Sequence, residues 1–192
     1  MPAAPPPVKR TCGTCTLCCK ATAVFELRKP TGEWCAHCTA ATGAAGKGCG
    51  VYETRPYECR AFECLWLQGL LPERDRPDDL HAVLYAQATA DPDRPLVVVA
   101  EAYPGAAARN PRLATLLAGI LRRGHPVDVR NAEYIDRHRP GHPVRRIPIN
   151  AADRLRVVGV NENPAAFEAQ MEQLLREKTA APPAPQGDRS PA

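Results

Sequence analysis

Cys12-Gly13-Thr14-Cys15-Thr16-Leu17-Cys18-Cys19 opens the stretch, residues 12–64, that holds all nine cysteines of the chain. Cys35-Ala36-His37-Cys38 follows, and Cys49, Cys59 and Cys64 complete the set. No cysteine occurs after Cys64. Three chemistries compete for such crowding. Free cysteines used as small apolar core residues scatter among Val, Leu and Ile, whereas Cys12, Cys15 and Cys38 have Gly, Thr and His as neighbours. A disulfide framework prefers an even count and an oxidising compartment. The count here is nine, and Met1-Pro2-Ala3-Ala4-Pro5-Pro6-Pro7 contains no apolar run that would serve as an export signal. Thiolate ligation of metal meets neither objection. A Cys-x-x-Cys turn lets two thiolates converge on one ion while backbone N–H groups point at the sulfurs.

The spacing leaves the metal open. Zinc takes four thiolates, or three and a histidine, in a tetrahedron. Cys12, Cys15, Cys35 and Cys38 approach a two-knuckle zinc pattern. The first run also resembles the C-x-x-C-x-x-C opening of bacterial ferredoxins, but continues directly with Cys19 and lacks a Cys-Pro pair. Nine thiols exceed one four-ligand site, so a second site exists or some cysteines are spare. The safer ligands are Cys12, Cys15, Cys35, Cys38, Cys49 and Cys59, each in a turn or beside a Gly or Pro bend. Cys18, Cys19 and Cys64 rank lower, because adjacent Cys18 and Cys19 cannot both point the same way. Of the five histidines, His37 alone, inside a Cys-x-x-Cys, has a case as a ligand.

The ordered set of motifs carries a family resemblance. Cys12-x-x-Cys15-x-x-Cys18-Cys19, Cys35-x-x-Cys38, Gly48-Cys49-Gly50-Val51-Tyr52, Arg55-Pro56-x-x-Cys59-Arg60-x-Phe62 and Trp66 resemble the CxxCxxCC cysteine-cluster family. These are the YkgJ-like proteins, described as zinc- or iron-chelating. The resemblance spans about residues 10–70. It implies chelation of a zinc or iron ion, with a 4Fe-4S cluster among the forms. Flagellin lysine methylases carry a similar cluster, which keeps a catalytic role open.

The remainder of the chain frames this segment. At 44% hydrophobic and 24% charged the composition is that of an ordinary soluble protein, and 21 prolines leave part of the chain outside packed structure. No run reaches the roughly 18–20 apolar residues of a membrane span. Reduced thiols without an export signal point to the cytoplasm. The net charge is +4, and thiolate ligation would change its sign unless metal charge offsets it. No clear nucleic-acid partner follows from it. Gly43 to Gly48 lacks the order of a phosphate loop, and no protease or zincin signature occurs.

The expected fold class is α+β: a cysteine-rich, metal-bound segment with little regular structure, then a small, mainly antiparallel sheet with two helices. The expected divisions are a disordered lead over 1–10, a cysteine-cluster domain over 11–70, an α+β domain over 78–178 and a disordered tail over 180–192. Within the cluster, a helical turn is expected near Cys12–Lys20 and a short strand over Val24–Arg28. A turn follows at Lys29-Pro30-Thr31-Gly32, then a small-residue loop over 39–48 and a helix from Pro56. Arg60 is a candidate cation beside the thiolates, and Glu53, Glu58 and Glu63 read as a solvated edge. A proline-bounded connector covers Leu70–Pro77. Strands are expected at 80–88, 96–102, 127–130, 144–149 and 155–160, and helices begin at Asn110-Pro111 and Asn163-Pro164. Three functions follow: a metal-binding protein, an iron–sulfur oxidoreductase or methyltransferase-like enzyme, and a zinc-stabilised module that docks a protein partner. Oligomeric state is not legible.

Overall fold

The fold is that of a computed structural model, which describes residues 10–39 and 48–150. The expected lead before Arg10, the loop over 40–47, the strand near 155–160, the helix capped at Asn163 and the tail over 180–192 lie outside the described residues.

Five strands form one sheet in the order β1-β2-β3-β4-β5: β1 (Ala82–Gln87), β2 (Leu96–Glu101), β3 (Val127–Arg130), β4 (Tyr134–His138) and β5 (Arg145–Pro148). β1 and β2 form the expected hairpin, with Leu84 opposite Val99. Its loop is fastened by the Asp91 carboxylate, which accepts from Asp93 N at 3.0 Å, the local bond that makes Asp a turn residue. The sheet is mixed rather than mainly antiparallel, because β2 and β3 run parallel with Val97 opposite Val127. Parallel neighbours need a crossover, and here helices α4 (Ala106–Arg109) and α5 (Pro111–Arg122) supply it. β3–β4 and β4–β5 are antiparallel again.

α5 begins as its sequence requires. Asn110 Oδ1 accepts from Arg112 N and Leu113 N at 3.0 and 3.1 Å, and Pro111 occupies the first turn, where its missing N–H costs nothing. Gly124, at φ 85°, follows the helix end. Leu113 and Ile120 are buried against Leu84, Val97, Val99, Val127 and Val129, with Leu116, Leu117 and Leu121 at the margin. Each such side chain contributes about 1.5–3 kcal/mol on leaving water.

Strand alternation places Val83, Tyr85, Leu96, Val98 and Ala100 on the opposite face. There they meet Leu17, Ala21, Phe62, Cys15, Cys18 and Cys64 of the cysteine segment. Phe62 lies edge-on to Tyr85 with ring centroids 5.3 Å apart. The segment also reaches the first face: Leu65 belongs to the core there, and its N–H donates to Leu84 O at 2.7 Å.

Several local expectations are corrected. Val24–Arg28 is a tight turn closed by one bridge between Val24 and Lys29, with Arg28 at φ 49°, rather than a strand. The connector before Pro77 is structured: a 3-10 turn over Glu73–Asp75 buries Asp75, which receives Arg112 Nε and Nη2 at 2.7 and 2.6 Å. A further short helix, α3 (Pro77–Leu80), precedes β1, and His81 lies at φ 55° between them. β4 and α4 were not anticipated. The cysteine segment contains the short helices α1 (Cys18–Ala21) and α2 (Tyr57–Ala61).

Candidate metal centre

Turns, not long elements, position the cysteines. Cys15 N donates to Cys12 O at 2.9 Å, and Cys38 N to Cys35 O at 2.9 Å, so each Cys-x-x-Cys is a closed turn. Cys35 N donates to Cys19 O at 2.9 Å and joins the second turn to α1. Cys49 bridges back to Cys38, and Gly50 N donates to His37 O at 2.7 Å. A Cβ on Gly50 would stand 3.2 Å from that carbonyl, so the residue there must be small. α2 carries Cys59. Its Glu58 is no mere solvated edge: its carboxylate accepts from Phe25 N at 2.7 Å and ties the helix to the Val24–Lys29 turn. Cys64 Sγ accepts from Leu67 N at 3.4 Å.

These turns enclose a cavity of about 120 Å³ lined by Cys12, Cys15, Cys18, Cys19, Cys35, Cys49, Cys59 and Cys64. Its floor is the sheet, through Val83 and Tyr85, and Phe62 and Trp66 also face it. Eight of the nine thiols therefore share one space. The ninth, Cys38, is fully buried beside Cys19. His37 reaches the rim although its residue is exposed. All nine cysteines are free thiols. The sulfurs stand around the wall rather than converging on one point: among the described residues no three His, Cys, Asp or Glu side chains are grouped as an ion would need them.

Five of the thiols are shifted toward the protonated form. Burial raises the Cys12 pKa, with the neighbouring Cys64 adding to it. Burial also raises Cys15 and Cys64 and pushes Cys59 up to about 11. Cys19 is raised by its hydrogen bond with Cys18 and then by burial. A nucleophilic or redox-active thiol needs the reverse, a depressed pKa in an electropositive, accessible setting. Metal displaces such protons by direct coordination, so the donor set suits a thiophilic ion in chemical type and number.

Cations stand around the wall. Arg55 is coupled electrostatically to Cys12 and Cys49 and packs its guanidinium 3.8 Å from the Tyr52 ring centroid. Arg76 acts on Cys15 while pairing with Asp78 at 2.8 Å. Lys29, only 6% exposed, acts on Cys19, Cys35, Cys18 and Cys59. Arg60, the cation expected there, is exposed and does not line the cavity. Sequence reasoning missed Lys29, since a lysine in a Lys-Pro-Thr-Gly turn has the pattern of a solvated loop.

On the same sheet face as Val98, Asp128 is fully buried and meets Arg130, Arg139 and Arg137 at 3.1, 2.9 and 3.5 Å. Burial alone would raise its carboxyl, but the three guanidiniums hold it below the usual carboxylate range. Arg130 also acts on the hydroxyl of Tyr85, the floor residue. No family model, curated protein or solved structure matches this chain. Among the described residues, no helix is long and apolar enough to cross a membrane.

Proposed function

We propose that residues 12–64 bind metal through their thiolates, zinc or iron, and that the protein acts through that centre. The observation that carries this reading is the gathering of eight thiols from separate turns onto one wall. The motif resemblance to the CxxCxxCC, YkgJ-like cluster supports the same chemistry. Cys12, Cys15, Cys18, Cys19, Cys35, Cys49, Cys59 and Cys64 would hold the metal, with Cys38 behind them. Bound zinc would supply a structural tie or a Lewis acid, and an iron–sulfur cluster would supply electron transfer.

The number of cysteines on the wall favours a centre of more than one metal ion. Eight cysteines line the space, twice the four that one tetrahedral ion takes. A 4Fe-4S cluster, or two ions sharing thiolates, is a centre of that kind. A thiolate centre also requires a reducing compartment, in keeping with the cytoplasm.

The test is metal and sulfide analysis of protein purified without oxygen, with its visible absorption spectrum. Brown protein with iron and acid-labile sulfide supports the cluster. Colourless protein with bound zinc supports the structural tie. Protein holding neither zinc nor iron, and taking up neither when supplied with the reduced chain, rejects the proposal.

A further inference from the structure

Lys29 occupies a place that lysine almost never occupies without a carboxylate. Its side chain is 6% exposed. Its ammonium donates to Lys20 O at 3.2 Å and to Thr22 O. Among the described residues no carboxylate pairs with it. The groups its charge acts on are the thiols of Cys19, Cys35, Cys18 and Cys59. Neutral carbonyls orient an ammonium but do not cancel its charge, and an uncompensated buried charge is costly. Thiolates would compensate it.

The chain holds this lysine firmly. Lys29 N donates to Val24 O at 3.0 Å, and Val24 N to Lys29 O at 2.9 Å, so its backbone closes the turn. Gly32 N donates to the same Lys20 carbonyl at 3.0 Å. The ammonium stands behind the wall, not on it: Thr22, Val24, Cys19 and Cys35 line the cavity, and Lys29 does not. It therefore acts through the thiolates rather than by touching metal.

We propose that Lys29 is the counter-cation of the thiolate centre, a positioning residue whose buried ammonium offsets the repulsion among thiolates and selects a centre of net negative charge. The inference rests on the thiolate reading above. A divalent ion with four thiolates carries two negative charges, and a fixed cation against it plays the part of the outer partners that orient and tune metal ligands. The rival role is a plain cap on the carbonyls that end α1, which would need hydrogen bonds but no charge.

The experiment titrates reduced, metal-free, full-length protein with Co2+ and then with competing Zn2+, following the thiolate-to-cobalt absorption. Lys29→Met, Lys29→Gln and Lys29→Arg are compared with the natural chain, and helix and strand content is checked by circular dichroism before metal is added. Removal of an outer-shell partner weakens metal affinity by about 10–100-fold, so that loss is expected in Met and Gln alike, with Arg restored to within a few-fold. Folded Met and Gln variants that bind Co2+ as tightly as the natural chain overturn the proposal. So does a loss in Met that Gln restores, since a neutral hydrogen-bond donor then suffices, as a cap requires. Failure of both to fold before metal is added also overturns it, since the charge then serves the fold and not the centre. If the natural chain itself takes up neither Co2+ nor Zn2+, the thiolate reading fails, and this inference with it.

Discussion

On one face of the sheet, Leu84, Val99 and Val129 pack against Leu113 and Ile120 of a 12-residue helix. On the other, Val83 and Val98 meet Leu17, Ala21 and Phe62, which are carried by helices of 4 and 5 residues and by turns. The first face has the means to hold itself, a capped helix long enough to present a full apolar stripe. The second lacks them, because short helices are unstable alone. Its largest shared feature is a space walled by thiols. The contrast teaches that burial on a long helix accounts for one layer of this fold, whereas the other would draw on the metal centre proposed above.

The largest effect that tests the contrast is metal removal. A structural thiolate site supplies on the order of 10 kcal/mol to the folded state, so that without it the cysteine segment rests on the packing of Leu17, Ala21 and Phe62 against the sheet and opens far more often. Stripping the metal under reducing conditions is expected to open amide exchange and proteolysis between Thr11 and Trp66, while amides of β2 and β3 stay protected. Equal loss of protection in both layers would break the comparison, and would show that Leu65 and Trp66 fuse them into one cooperative unit.

The converse perturbation is Leu113→Ala. Leu113 is fully buried, and large-to-small changes at such sites cost about 2–5 kcal/mol. Thermal melting should shift down with metal content unchanged. A fall in bound metal at temperatures where the sheet is still folded would mean that the centre senses the helical face, against the division drawn here.

How far the two layers were legible follows the same division. The helix from Pro111 could be read because its cap, first-turn proline, stripe and terminal glycine are all local signals. The β1–β2 hairpin was likewise local. β4 is hidden in the sequence because Asp136, Arg137 and His138 have no strand-like alternation, and buried Arg137 pairs with Asp128 on the neighbouring strand. The parallel β2–β3 pairing depends on a crossover, which no window of residues displays. Within the site, the cysteines announced themselves by spacing. Lys29 did not, since it is buried against the carbonyls of Lys20 and Thr22, contacts that no local pattern displays. Arg55, ahead of α2, faces the thiols while Arg60 within it is exposed.

Gly32 offers a smaller and more local probe of how the layers meet. It lies at φ 84°, and a Cβ there would stand 2.7 Å from the Cβ of Ala132 in the β3–β4 turn. Gly32→Ala therefore combines left-handed strain with a collision, and should cost about 1–3 kcal/mol. Gly124 is the control: it has a similar φ of 85° and nothing within 4 Å of the same atom. Gly124→Ala should cost only the backbone strain, about 1 kcal/mol. Urea unfolding of the two variants gives the difference. Equal losses would show that the Lys29–Gly32 turn does not press on the sheet.

The smallest effect expected is the pH profile of the metal-free protein, and its sign separates two buried groups. Cys59 has a folded pKa of about 11 against 9.0 for a free thiol, so its contribution is present below pH 9 and is lost as pH rises through 11. Cys12, Cys15, Cys19 and Cys64 are raised too and act in the same direction. Lys29 is the opposite case. Burial lowers it to about 8 from 10.5, so its contribution is present above 10.5 and is lost as pH falls through 8. Five thiols oppose one lysine, so above pH 9 the natural chain should lose stability as pH rises. Cys59→Ser removes one member of the falling set, and the stability of that variant should climb relative to the natural chain by about 1 kcal/mol between pH 9 and 11, the half-exposed position of Cys59 keeping the figure small. Urea midpoints measured at intervals across that range, with chelator and reductant present, check it. Superimposed profiles would mean that the Cys59 thiol is solvated like a surface group, and the wall of the cavity would then be open at α2.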